Sequence, residues 1–338
     1  MTNWFEKLFG FIEESPEVVR EKIEVHEDSL RSKENGRSYK IGQLTIPSLQ
    51  ELRKSAEELS VSHEERLTLK NVTGDVRSLH CEPNNANALF QVASQFNLLE
   101  MVNPNVTPEQ GVSRYEFDPT QGPACAIATG AATVYRNYFV EVGGETGQTF
   151  DNQIDCLGGI GAALGNTNDN LWSMRNGYAL CTQDGLSKIN QRLQSSDESD
   201  KDKLRQRLRI GLHSGIQVTD AEAPKNHLVS QVYCSALPIA YSSSLENGWS
   251  AFAKLILESA YEATLCAAII NSHKRGSNKL FLTQIGGGVF GNKLQWIYDA
   301  MHRSFLLYRH IDLDVRIVSY ESVDSRLEKM VEDWDKSS

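Results

Sequence analysis

Apolar and polar positions alternate with a period of two at Leu67, Leu69 and Val72, which predicts a short strand, and a second β-like run follows at residues 76–81 beyond Gly74-Asp75. The pattern then lengthens. Residues 89–99 and the small-residue stretch 122–139 predict helices, and 153–164 is a further apolar segment. Between the first two lies a loop at 103–120, punctuated by Pro104, Pro108 and Pro119. Later strands are expected at 208–212, 228–235, 279–285 and 314–320, with helices at 249–270 and 294–307. Residues 195–203, nearly all charged or Ser, predict a solvated loop. Strands separated by helices imply an α/β fold whose mostly parallel sheet is covered on both faces.

Ahead of the first strand, residues 1–65 form an N-terminal helical extension. Trp4, Phe5, Leu8, Phe9, Phe11 and Ile12 make an aromatic patch, read as an arm packed on the body. A membrane-surface anchor would want Lys and Arg on its polar face, and this segment has more acids than bases. Leu49, Leu52 and Leu59 fall near helical spacing behind Pro47, which predicts an ordinary surface helix.

Charge narrows the partners. With 34 Lys and Arg against 44 Asp and Glu, the net charge of -10 argues against nucleic acid gripped through phosphates. The six cysteines are spread without a C-x-x-C pair and mostly lie in apolar runs, as buried thiols of a reducing compartment do. No segment reaches the length of a membrane helix, and the start carries acids where a secretory signal would be basic and then apolar. The expectation is a cytoplasmic, intracellular chain with no membrane partner, export by a non-classical route remaining open. No His, Cys and acid cluster has metal-ligand spacing, and no cofactor is implied.

The most specific local signal is Gly286-Gly287-Gly288-Val289-Phe290-Gly291-Asn292, placed between an apolar strand and a helix. Glycines let the backbone approach a ligand closely, so main-chain N–H groups can cradle a diphosphate at the C-terminal end of a strand. A tight turn with no ligand is the alternative. The loop also satisfies G-x-G-x-x-G, but a Rossmann fingerprint opens its sheet, whereas here one helix and one strand use up most of the remaining chain.

A late strand, a G-V-F-G loop, a helix and a last strand resemble the closing segment of macrodomains, which bind ADP-ribose with such a loop. Upstream, Val232 to Pro238 and the helix through Ala260 to Leu265 are similar to the strand and helix preceding that loop, and Asn84 to Asn87 with Phe96-Asn97 resemble the Asn-rich loop that holds the distal ribose. Gln95-Phe96-Asn97, then Asp118 to Ala126, then the glycine loop together resemble a divergent macrodomain-like family of ADP-ribosyl hydrolases, bacterial and eukaryotic, that includes an enzyme acting on ADP-ribosylated ubiquitin. The resemblance spans roughly residues 76–320. It implies a macrodomain-like three-layer α/β/α sandwich over 66–325, with a mostly parallel mixed sheet and a large insertion around 140–220. The implied partner is ADP-ribose or an ADP-ribosylated protein, ubiquitin among the candidates. Two departures stand out: the first loop lacks the family's glycine run, and Lys293-Leu294-Gln295-Trp296 stands where a poly(ADP-ribose) glycohydrolase carries paired glutamates.

Hydrolysis at the anomeric carbon needs a carboxylate near the ribose. Asp118 is the first candidate, at a loop end before a helix, with a turn role beside Pro119 as its alternative. Asp151 and Asp155 would share one face if 151–155 were helical, although Asp151 alone would be an ordinary helix-start acid. Asn97 and Gln121 are candidates to position ligand, together with Gly286, Gly287, Gly288, Val289, Phe290, Gly291 and Asn292. Tyr178, beyond the turn at Arg175-Asn176-Gly177, reads as a core Tyr or a stacking ring. Besides the hydrolase, three alternatives stay open: a module that binds ADP-ribose without cleaving it, a Rossmann-type enzyme, and a cysteine hydrolase using Cys125 and His213.

Overall fold

The structure, a computed structural model, describes residues 2–59, 66–242 and 248–337. Seven strands share one sheet: β1 (Gln43–Thr45), β2 (Thr68–Thr73), β3 (Leu89–Ala93), β4 (Gly211–Gln217), β5 (Leu228–Cys234), β6 (Lys279–Leu282) and β7 (Asp314–Ser319), in the order β1-β4-β5-β3-β6-β7-β2. Every neighbour from β5 across to β2 is parallel, while β4 is antiparallel to both β5 and β1. Helices cover both faces, as a parallel sheet requires. The long helix Ser250–Arg275 lies on one face with Leu49–Leu59 and Leu294–Leu307 packed against it; Val76–Cys81, Gln121–Ala128 and Gly130–Tyr138 lie on the other. This is the expected three-layer α/β/α sandwich with a mostly parallel mixed sheet.

The central strand β3 shows how period two divides the layers. Phe90 faces one layer, its ring stacked 3.7 Å from His80 and 4.4 Å from Phe281. Gln91 faces the other, where its amide donates to Thr264 Oγ1 at 2.8 Å and accepts from Thr283 N–H at 3.2 Å, so a buried polar side chain is satisfied.

Several local expectations are corrected. Residues 76–81 are a helix, because Asp75 caps it by accepting from Arg77 N–H. The stretch 89–99 is not helical: a short apolar run does not separate a buried strand from a helix, and here it is strand β3 followed by a turn. Helix 122–139 is broken at Thr129, whose hydroxyl donates to Gln231 Oε1 and Cys125 O. The charged stretch 195–203 carries most of a helix, Glu198–Arg205, capped by Asp197 and tied to the core by buried Leu204 and by Arg205, which bridges Glu198 and Glu258. The strand expected at 208–212 begins at Gly211 and runs on to Gln217.

The N-terminal extension, expected to be helical, also carries strands at Ile23–His26, Ser29–Ser32 and Ser38–Lys40, and it is knitted into the rest. β1 extends the sheet, and Arg53 on Leu49–Leu59 bridges Asp202 and Glu262. Trp4, Phe5, Phe9 and Phe11 form a second apolar core with Val112, Tyr115, Ala126 and Tyr138. Gly130 permits that contact, since a Cβ there would sit 2.6 Å from the Trp4 ring. Among the described residues no helix is long and apolar enough to cross a membrane.

Candidate functional site

The cleft that gathers the candidate residues opens at the C-terminal ends of β3, β5 and β6, where open α/β sheets bind ligands. Its floor is Ala93, Ser94, Cys234 and Ala236; one wall is the glycine loop and the other the start of helix Gln121–Ala128. Gly122 lets that helix come in, because a Cβ there would sit 2.1 Å from the Ala93 carbonyl.

Within the loop the glycines have different tasks. Gly286 has φ +76, and a Cβ on it would meet Ala236 at 2.3 Å. Gly287 turns away from the cleft, its Cβ position 3.1 Å from Ile297 and 3.2 Å from Leu294 of the following helix. Gly288 faces open space and lines the cleft with Gly286, Val289 and Phe290. Asn292 fastens the loop: its side chain donates to Leu237 O at 2.9 Å and Gly286 O at 3.3 Å. Phe290 packs in a ring cluster with Tyr178 and Tyr241, at 5.3 and 5.8 Å. Among the described residues the amides of Gly288, Val289 and Phe290 have no protein acceptor, so three successive N–H groups are left without a partner in the protein.

Opposite them stands Asp118, half-buried at the cleft. Its Oδ1 accepts from Thr120 N–H at 2.9 Å across Pro119, the turn role weighed above, and this fixes the carboxylate beside the helix start. Tyr178 and Tyr241 lie close enough that the Asp118 charge adds to burial in pushing both phenols up. Gln121 also lines the cleft.

Asn97 belongs to the framework: Oδ1 accepts from Leu99 N–H and Nδ2 donates to Gln153 Oε1, both away from the cleft. Asp151 is exposed and bonds Thr149 Oγ1. Asp155 accepts from Leu157 N–H. The protein around Asp155 raises its pKa, yet its surface stays open to solvent and it serves as a turn cap. Residues 151–155 are not helical, so these two acids share no helical face, and neither lines the cleft. Gly287, Gly291 and Asn292 shape the loop without lining the cleft.

Sequence reasoning missed Glu100. It lines the cleft with its side chain 1% exposed and pairs with buried Arg136 at 3.3 Å. Burial pushes its carboxyl up to about 7 against the pull of that guanidinium. Arg136 also donates to Leu98 O and Thr133 Oγ1, bonds the Tyr233 hydroxyl and lies 3.9 Å from the Tyr233 ring centre. Leu98 adopts φ +65, a left-handed conformation that costs a leucine energy, and the Arg136 bond to its carbonyl holds it there. The available signal was an acid inside the apolar run Leu98-Leu99-Glu100-Met101-Val102, since acids are seldom buried unless paired.

The cysteine alternative loses its parts. Cys125 is fully buried and its thiol is pushed up by that burial, which disfavours the nucleophilic thiolate. His213 is buried beside Tyr135 and Tyr233, and neither residue lines the cleft. Among the described residues no group of three His, Cys, Asp or Glu could hold a metal ion.

No family model matches the chain, and no curated protein does. Solved structures similar to it include poly(ADP-ribose) glycohydrolase from Thermomonospora curvata, with 11% identity, TM-score 0.43 and coverage of 93% of this chain and 94% of that one. The Thermomonospora curvata enzyme bound to the inhibitor ADP-HPD gives 12% identity, TM-score 0.41 and coverage of 95% and 96%. The enzyme from Deinococcus radiodurans in complex with ADP-ribose gives 11%, 0.42, and 87% and 94%.

Proposed function

We propose that this protein is an ADP-ribosyl hydrolase that releases ADP-ribose from a modified protein side chain. One observation carries the reading: a single cleft at the strand ends holds free loop amides on one wall and the Asp118 carboxylate on the other. The amides of Gly288, Val289 and Phe290 hold the diphosphate. Asp118 then faces the ribose. It accepts a proton from the attacking water, stabilises positive charge developing at the anomeric carbon as the bond to the protein side chain breaks, and passes that proton to the departing side-chain heteroatom. The Glu100–Arg136 pair closes the floor behind it. The motif resemblance to macrodomain-like hydrolases supports the same assignment, and a ubiquitin-linked ADP-ribose is one substrate to try.

The test is incubation of the purified chain with mono-ADP-ribosylated proteins, ubiquitin included, while free ADP-ribose release and ADP-ribose binding are followed together. Release that disappears in Asp118→Asn supports the hydrolase. Binding without release makes the protein a reader of the modification, and absence of both refutes the assignment.

A further inference from the structure

The N-terminal arm reaches the carboxylate wall of the cleft through Glu13. Its side chain accepts three hydrogen bonds: Oε1 from Val112 N–H at 3.0 Å and from the Tyr138 hydroxyl at 2.7 Å, Oε2 from Ser113 N–H at 2.7 Å. Trp4 Nε1, also on the arm, donates to Ser113 O at 3.1 Å, so Ser113 is gripped at both its N–H and its carbonyl. Gly111 allows the approach. It has φ +84, and a Cβ there would stand 2.4 Å from Glu13 Oε2.

From this anchor the 3-10 turn Ser113–Phe117 leads directly to Asp118. Tyr115 inside that turn accepts from Glu100 N–H through its hydroxyl at 2.9 Å, and its carbonyl accepts from Asp118 N–H at 3.1 Å. A single turn therefore links Glu13 to the backbone of both cleft carboxylates. An amide in place of the Glu13 carboxylate would offer one acceptor oxygen and set an NH2 donor against a backbone N–H donor.

We propose that Glu13 is a positioning residue for the cleft: its carboxylate fixes loop 111–118 and, through it, the place of Asp118. The kinetic consequence rests on the hydrolase reading; the structural one stands by itself. A small displacement of a reacting group costs on the order of 100-fold in rate, and the diphosphate wall is built elsewhere, so the loss falls on kcat.

The experiment compares full-length Glu13→Gln, Glu13→Asp, Gly111→Ala and Ser32→Ala. Ser32 is a control on the arm, where it donates to Phe9 O and does not contact the loop. Glu13→Gln and Gly111→Ala are expected to lower kcat for ADP-ribose release by roughly 10- to 100-fold with KM nearly unchanged. Glu13→Asp should recover part of the rate, and Ser32→Ala should keep it even where it lowers Tm. A fall in kcat that simply follows Tm across all four variants would overturn the positioning role. Hydrogen exchange read at the amides of 111–118 separates the two ideas. If the wild-type chain releases no ADP-ribose, the hydrolase reading fails, and faster exchange in Glu13→Gln but not in Ser32→Ala still upholds positioning. Unchanged exchange in Glu13→Gln overturns it.

Discussion

The two walls of the cleft are built in opposite ways. The wall proposed to hold the diphosphate is local: β6, the glycine loop and helix Leu294–Leu307 follow one another in 29 residues, and the loop is fastened by its own Asn292. The carboxylate wall is assembled from distant parts of the chain: Glu13 grips Ser113, Tyr115 bonds the backbone of both Glu100 and Asp118, and Arg136 pairs with Glu100. Binding by backbone amides needs only a loop shape, which neighbouring residues can dictate. Chemistry by a side chain needs a fixed carboxylate, which here takes tertiary contacts.

The largest effect should come from the local wall. Gly288→Glu puts a carboxylate into open space beside three free amides, where it competes with and repels a diphosphate. Calorimetry is expected to show ADP-ribose affinity falling by at least ~100-fold, equivalent to about 3 kcal/mol, with little change in Tm. Gly287→Glu sharpens the contrast: its Cβ faces Ile297 and Leu294, so the variant should lose stability by roughly 1–3 kcal/mol through overpacking. Equal affinities in Gly288→Glu and wild type would remove the diphosphate wall from the proposal.

Next in size is the distant wall. Asp118→Asn keeps an acceptor for Thr120 N–H and removes the charge, so kcat for release should fall by roughly 100- to 10,000-fold while ADP-ribose affinity holds. If single-turnover rates survive that change, the catalytic carboxylate is not Asp118.

Legibility in the sequence followed the same division. The helix at 294–307 was readable to the residue, and strands β5, β6 and β7 to within a few residues at their C-terminal ends, because each is a regular run bounded by turn residues. Residues 76–81 and 89–99 exchanged their expected states, since six to eleven mixed residues do not fix a period and capping by Asp75 or burial in the sheet centre decides. Asp118 stood as the first candidate from its position before a helix, and the fold places it at the cleft. The pairing of Asp151 and Asp155 presumed a helix that the chain does not form there. Glu13 and Arg136 were invisible: each is an ordinary charged residue in sequence, and only the folded chain brings Val112, Ser113 and Leu98 to them.

The smallest expected effect tests whether the distant wall carries the strain its geometry implies. Charge-assisted bonds from Arg to carboxylate are usually 2.7–2.9 Å, whereas Arg136 stands 3.3 and 3.4 Å from the two Glu100 oxygens. Its guanidinium is divided among Leu98 O, Tyr233 and Thr133, so it compensates the buried carboxylate only in part. The pKa of Glu100 is accordingly raised to about 7 from an ordinary 4.5. A raised folded-state pKa means that the native state holds the proton more tightly than the unfolded chain. The stabilisation from this group is therefore complete below about 4.5 and is lost as pH climbs to about 7. Glu100→Gln cannot titrate, so the Tm difference between wild type and variant should drift against the wild type across that window and stay flat on either side. A constant difference from pH 4 to pH 8 would mean that Arg136 fully compensates Glu100, and that the distant wall is held as firmly as the local one.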